Sequence, residues 1–323
     1  MNHQYDVVAL GEAMVEFNQI PQGDGSMYLQ GFGGDTSNTI IGAARQGARC
    51  AYLSLVGKDA LGDMCMALWK AEGVDVSGVG VHDDAPTGVY FVRHDRDGHH
   101  FSYLRKGSAA SRIQPADISR DIISHTKYLH VSGISQAISS NARETVAAAI
   151  AMAHAAGARV SYDPNLRPAL WSLEDAKPAI IETIASTDEF LPGFEELAKV
   201  CGLQAPQDIV AWAHQQGAKI VVLKMGVNGV LASDGQSIQK IDAFAVHARD
   251  ATGAGDCFNG AYLSRRARGE DVFTSARWAV ASAALSTQGY GAVAPLPTEA
   301  HVMEFLKTAV TVAKSSNIQA DQV

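Results

Sequence analysis

The sequence lacks the signatures of several common chemistries. No G-x-x-x-x-G-K-[ST] occurs, so no Walker-type loop cradles a phosphate. Gly11-Glu12-Ala13 follows the first strand-like run where a dinucleotide-binding start would need G-x-G-x-x-G. There is no H-E-x-x-H and the eleven histidines are scattered, which argues against a zinc site, and no G-x-S-x-G nucleophile elbow is present. The four cysteines, Cys50, Cys65, Cys201 and Cys257, have neither C-x-x-C spacing nor a disulfide framework, as expected of free thiols in a reducing cytosol. Long apolar runs are missing. The most apolar segment, Val146 to Ala153, is far too short to cross a bilayer, and Met1 leads into the run Tyr5 to Leu10 without a basic, apolar leader. A formal net charge of −8 disfavours nucleic acid or an anionic membrane as partner. A cytoplasmic protein is expected, in which local basic residues draw in any anionic substrate.

What is present is a chain of 323 residues, 47% hydrophobic, long enough to bury a large core. Short β-branched runs at 6–10, 51–56, 128–131, 159–162, 189–191 and 219–224 alternate with helical patterns at 36–46, 60–72, 141–156, 173–185 and 206–216. Asn141 and Glu144 read as a capping box for the third helix. This alternation predicts a mainly parallel sheet with helices on both faces and ligands beyond the carboxyl ends of its strands. Two regions, 13–32 and 87–104, break it with strand-like stretches and no helix. Gly88–Val92 and His100–Leu104 form a hairpin across the turn Asp95–His100. Together these regions predict a small discontinuous β-lid on a single domain spanning 1–314, with 315–323 as a flexible tail. A few-stranded sheet is marginal alone in water, so a homodimer through the lids is expected.

Two glycine motifs carry the chemistry. Near the C-terminus, Asp250-Ala251-Thr252-Gly253-Ala254-Gly255-Asp256-Cys257-Phe258-Asn259-Gly260-Ala261 sets a Thr-Gly-Ala-Gly turn before an amphipathic run. The small residues leave the amides of Gly253, Ala254 and Gly255 open at a helix start, where the dipole favours an anion. Asp256 places a carboxylate beside that pocket, where a base for an incoming hydroxyl would sit. A tight turn with a cap would carry the same residues. Near the N-terminus, Gly33-Gly34-Asp35-Thr36-Ser37-Asn38 precedes a second helix, capped by Asp35 or Thr36 and closed by Gly47. Its glycines let a ligand approach the backbone, and Asp35 and Asn38 suit sugar hydroxyls.

The two motifs, in this order and at this separation, resemble the signatures of the ribokinase-like (PfkB) carbohydrate kinases over nearly the whole chain. Ala251 departs from the usual Thr, Pro, Ser or Val. The resemblance implies a ribokinase-like three-layer α/β/α fold with a β-sheet lid and ATP-dependent phosphorylation of a sugar.

The substrate signal lies in Tyr103-Leu104-Arg105-Lys106-Gly107-Ser108-Ala109-Ala110-Ser111 and Asp163-Pro164-Asn165-Leu166-Arg167-Pro168. Tyr103 and Arg105 share a strand face, which Tyr90 on the neighbouring strand also joins. Two arginines aimed at one cleft suit a carboxylate, although a solvated Arg105 and a locally paired Arg167 would leave the same sequence. These stretches, with Gly11-Glu12-Ala13-Met14-Val15 and Leu129-His130-Val131-Ser132-Gly133-Ile134, resemble the 2-keto-3-deoxygluconate kinases of the family. That resemblance implies transfer to the C6 hydroxyl, with Gly34, Asn38, Tyr90, Tyr103, Arg105, Arg167 and Asp256 at the sugar acid. Gly289-Tyr290-Gly291-Ala292 brings a tyrosine where some members have an acidic contact.

On the nucleotide side, Lys224-Met225-Gly226-Val227-Asn228-Gly229 resembles the family's strand-turn toward ATP and also reads as a plain hairpin loop. Asn165, Lys224, Gly226, Gly229, Gly253 and Gly255 are the candidate ATP contacts, and Ala283 to Ala292 flanks the adenine. Mg2+ is expected with ATP. Where many relatives carry N-x-x-E, this chain has Gly193-Phe194-Glu195-Glu196, so Glu196 is an indirect metal contributor only. Kinases for fructose, ribose, a nucleoside or 5-dehydro-2-deoxygluconate remain alternatives, as does a sugar-acid sensor without activity.

Overall fold

The computed structural model describes residues 3–20, 25–95 and 98–309. Its strands are β1 (Tyr5–Leu10), β2 (Met14–Gln19), β3 (Tyr28–Gly33), β4 (Cys50–Gly57), β5 (Val74–Asp75), β6 (Val79–His82), β7 (Gly88–Asp95), β8 (Gly98–Leu104), β9 (Thr126–Ser132), β10 (Arg159–Asp163), β11 (Glu189–Phe190), β12 (Ile220–Lys224), β13 (Val230–Ser233) and β14 (Ile238–Ile241). A ten-stranded sheet runs β14-β13-β12-β11-β10-β9-β1-β4-β5, with β6 also on β4. It is parallel from β12 to β4, and only β13 and β14 run antiparallel.

The central strands are apolar on both faces, because helices cover both. In β1, Val8 and Leu10 join one core with Leu129, Ile150 and Ile180. Val7 and Ala9 point the other way, into a second core with Ile40, Ile41, Tyr52, Phe258 and Tyr262. The two-residue period of the strand thus builds a three-layer α/β/α sandwich. On the second face the helices Asp35–Arg45 and Ala254–Ala267 lie in close contact. Gly42 and Gly260 face each other there, and a Cβ on Gly260 would come within 2.3 Å of the Thr39 carbonyl.

The lid is a separate four-stranded sheet in the order β3-β2-β7-β8. Its two antiparallel hairpins join through the parallel pair β2–β7. Positions 21–24 of the first lid region and 96–97 of the Asp95–His100 turn lie outside the described residues, as does the expected tail 315–323.

Two capping expectations are corrected. The helix Ser140–Ala155 is capped by Ser139, whose hydroxyl accepts from the Ala142 amide, and not by Asn141 with Glu144. The helix Asp35–Arg45 is capped by Gly34, with no side-chain cap, because the backbone there needs φ of 116°. Asp35 is consequently drawn into the first turn with its side chain released from capping. Gly47 ends that helix as expected, with φ of 81°.

Candidate active site

The carboxyl ends of β1, β9, β10 and β12 and the starts of the two contacting helices converge on one cleft beneath the lid, where a parallel sheet is expected to hold ligands. The tight helix pair brings Asn38 against Asp256, and the Asn38 amide donates to its carboxylate at 2.8 Å. The Asn165 amide donates to Asp35 at 3.0 Å, and the Asn165 backbone N–H donates to Asp163 at 3.1 Å. Asn165 holds a φ of 35°, a left-handed conformation that asparagine tolerates better than most residues. On the far side of Asp163, Lys224 donates at 2.6 Å and the Asn259 amide at 2.7 Å. Lys224 also donates to Asn259 at 3.1 Å.

Electrostatics separates the carboxylates. Burial, followed by the charge of Asp35, pushes Asp256 up to about 8, against the hydrogen bond from Asn38. Burial likewise raises Asp35, assisted by the charge of Asp163. Burial raises Asp163 most strongly of any single cause, yet Lys224 and the Asn259 hydrogen bond together hold it below the usual range. Beside them, burial pushes His130 down to about 4, so it is a neutral core residue bonded to Ser161. Three buried polar atoms at the cleft, Asp35 Oδ1, Asn38 Oδ1 and Arg105 Nε, have no partner among the described residues. Buried polar groups in folded proteins are nearly always satisfied, so these three point to a polar ligand or water.

The turn before Asp256 departs in one respect from the expected anion pocket. Gly253 is the N-cap of the helix Ala254–Ala267 and sits in the left-handed region at φ of 72°. That turn lets the Ala254 amide donate to the Ala251 carbonyl at 3.1 Å, so Ala254 is not an open donor. The Gly255 and Asp256 amides follow it in the first helical turn. The Lys224 ammonium lies 3.6 Å from where a Gly255 Cβ would be, which adds a cation to this end of the cleft.

The lid contributes an aromatic face. Tyr90 and Tyr103 are register partners, stacked at 5.7 Å between ring centroids, and the Tyr90 hydroxyl donates to Glu16. Arg105 follows at the end of β8, but its guanidinium is bound to the buried carboxylate of Glu12, which also accepts from the Ser108 hydroxyl. Arg167 pairs with Glu196 at 2.9 Å, and the other Glu196 oxygen accepts from the Leu166 amide at 3.2 Å. Each arginine thus has one carboxylate partner. Gly226 lies in a short 3-10 turn and Gly229 at its end, where the antiparallel pair β12–β13 closes as a hairpin. Val227, within that turn, and Tyr290 are largely exposed.

Asp163, Asn259, Glu12 and Glu16 were not singled out as site residues from the sequence. Asn259 had a visible signal, since it lies three residues after Asp256 on the same helix face. Glu12 and Glu16 had none, because their partners are set by the return path of the chain through the lid.

Comparison with known proteins agrees with this geometry. The family model "pfkB family carbohydrate kinase" matches residues 4–299. The 2-dehydro-3-deoxygluconokinase of Thermoproteus tenax is 32% identical, covering 93% of this chain and 94% of its own. A probable fructokinase-2 of Arabidopsis thaliana is 30% identical, covering 94% and 96%. A putative ribokinase II from E. coli, solved in complex with ATP and Mg2+, superposes with a TM-score of 0.85 at 25% identity, covering 93% and 98%. With a ribokinase-like sandwich, a β-lid and an aspartate behind a Gly-Ala-Gly turn, the chain belongs to the pfkB family of carbohydrate kinases.

Proposed function

We propose that this kinase transfers the γ-phosphoryl group of ATP to the C6 hydroxyl of 2-keto-3-deoxygluconate, giving 2-keto-3-deoxy-6-phosphogluconate. The observation that carries the phosphotransfer is Asp256, oriented by Asn38 at the start of a helix and beside the charge of Lys224. Relatives named 2-dehydro-3-deoxygluconokinase support the substrate.

In this mechanism the lid closes over the sugar acid and excludes water, which limits ATP hydrolysis. Arg105 and Arg167 hold the carboxylate end, while Gly34, Asn38, Tyr90 and Tyr103 position the chain so that one terminal hydroxyl faces Asp256. Asp256 orients that hydroxyl and accepts its proton late, since a carboxylate is a weak base for an alcohol and the transition state is loose. The Gly253–Gly255 turn receives the transferred group. Each donor in such a hole contributes about 2.7–4 kcal/mol, and the open amides of the first helical turn supply that here. Asn165, Lys224, Gly226 and Gly229 serve the nucleotide side.

Mg2+ is held in such sites mostly by water and phosphate oxygens with one or two carboxylates. One side chain suits this: Asp35 keeps a buried, unpartnered oxygen. Asp35, with Glu196 acting indirectly, would hold the ion, which when bound neutralises phosphate charge. We place the enzyme in the cytoplasm, in keeping with four free cysteines. We also place it in a homodimer through the lid, where Leu29, Phe101 and Leu104 are exposed.

Fructose is the second candidate, because each arginine already has a carboxylate partner and fructokinases are comparably similar. Initial rates with 2-keto-3-deoxygluconate, fructose, ribose and adenosine separate the two. The proposal expects strong preference for the keto acid, lost in Arg105→Met with Arg167→Met. Preference for fructose would overturn the substrate while leaving the kinase.

A further inference from the structure

The lid joins the body of the protein through four chain crossings: into β2, out of β3, into β7 and out of β8. All four meet at one buried residue. Glu12, only 2% exposed, lies on the crossing into β2. A Cβ on Gly34, at the exit from β3, would come within 2.3 Å of the Glu12 carbonyl. A Cβ on Gly88, at the entry to β7, would stand 3.0 Å from Glu12 Oε1. At the exit from β8, Arg105 and Ser108 both donate to the Glu12 carboxylate. Arg105 is itself largely buried, and its Nε has no partner among the described residues.

A guanidinium has five N–H donors in a rigid planar fork. Fixing one arm on Glu12 therefore fixes the direction of the others. The lid carries the tyrosine pair over the cleft, and Arg105 stands at its hinge. The same carboxylate thus sets both the hinge and the aim of the free guanidinium edge.

We propose that Glu12 is a positioning residue for sugar binding: it pins the lid hinge and aims the unpartnered edge of Arg105 at the substrate. Glu12 touches neither ATP nor the reacting atoms and acts through Arg105. The inference rests on the assignment of Arg105 to the sugar site.

A double-mutant cycle on the full-length enzyme tests it, with KM for 2-keto-3-deoxygluconate, KM for ATP, kcat and Tm measured for Glu12→Gln, Arg105→Met and the double variant. Glu12→Gln should raise the KM for the sugar acid about tenfold or more, the size of a lost charge-assisted contact, and leave the KM for ATP within about twofold. In the Arg105→Met background the same change should move the sugar KM by less than about twofold, because the residue it works through is gone. Independent, multiplying effects of the two substitutions would overturn the proposal. So would a Glu12→Gln variant whose sugar and ATP constants rise together, as a merely structural role predicts. If Arg105→Met alone leaves the sugar KM unchanged, Arg105 is not a substrate contact and the proposal falls with that assignment. Should Glu12→Gln fail to fold, Ser108→Ala removes only the second anchor of Glu12. It should raise the sugar KM about threefold, again only when Arg105 is present, and no change would overturn the proposal.

Discussion

Asp256 should set the pH range in which this kinase works. Its carboxyl is pushed up to about 8, by burial first and by the negative charge of Asp35 next, with the Asn38 hydrogen bond opposing. With that value, about a tenth of the free enzyme carries the carboxylate at pH 7. Because kcat/KM reports ionisations of the free enzyme, it should climb about tenfold from pH 6 to pH 7 and level off above about 8. The cause can be tested separately from the value. Asp35→Asn removes the neighbouring charge while keeping a polar side chain of the same size, so the limb should move to lower pH even if the plateau falls. Initial rates of ADP formation with both sugar and ATP well below saturation and Mg2+ present, in a constant-ionic-strength buffer series, provide the profile. A limb centred below about pH 6 would refute the raised carboxyl, and a limb unmoved by Asp35→Asn would refute the role of Asp35.

Other consequences follow from individual contacts. Lys224→Met strips the largely buried Asp163 of its cation, and leaving one charge of such a pair alone costs about 3–5 kcal/mol. Asp163 is held low in the folded protein, so this loss should be full above the ordinary carboxylate range and shrink as pH falls below that range toward the depressed value. Urea unfolding at pH 7 and pH 3 measures it, and equal midpoints for the two proteins at pH 7 would contradict it. Gly34→Ala must accommodate a φ of 116° and a Cβ 2.3 Å from the Glu12 carbonyl, so it should raise the sugar KM by about tenfold or more with the ATP KM unchanged. Glu189 is buried at the opposite end of the helix Ala254–Ala267, where it pairs with Arg266 at 2.9 Å and accepts from Tyr262 at 2.6 Å. Glu189→Gln should therefore lower Tm by several degrees and leave both KM values unchanged, as steady-state kinetics below the transition will show.

The sequence made the sheet and the two glycine motifs legible because both are local. The strand-helix alternation follows from the side-chain period of each segment, and six strands and five helices appeared within a few residues of their expected bounds. Asp256 and Asn38 stand beside glycine turns whose backbone needs are visible in the residues themselves. The partners of the arginines were not legible. Arg105 and Glu12 are ninety-three positions apart, and their pairing depends on four chain crossings that no local pattern encodes. Likewise, the sequence allows a locally paired Arg167 but does not name Glu196 as its partner. The Ala254 amide read as open because the turn back to Ala251 follows from the left-handed Gly253, not from residue size alone. Asp35 and Thr36 both suit a cap by residue type, but Gly34 holds that position in a conformation that other residues rarely adopt.

The central claim is that Asp256 is the base at the head of the helix Ala254–Ala267. Phosphorylation of 2-keto-3-deoxygluconate by Asp256→Asn, measured beside calorimetric binding of ATP and of the sugar acid to the same variant, tests it most directly. The account predicts turnover lower by about two to four orders of magnitude with both affinities within a few-fold of wild type. Turnover within about tenfold of wild type would contradict the assignment and move the base elsewhere in the cleft.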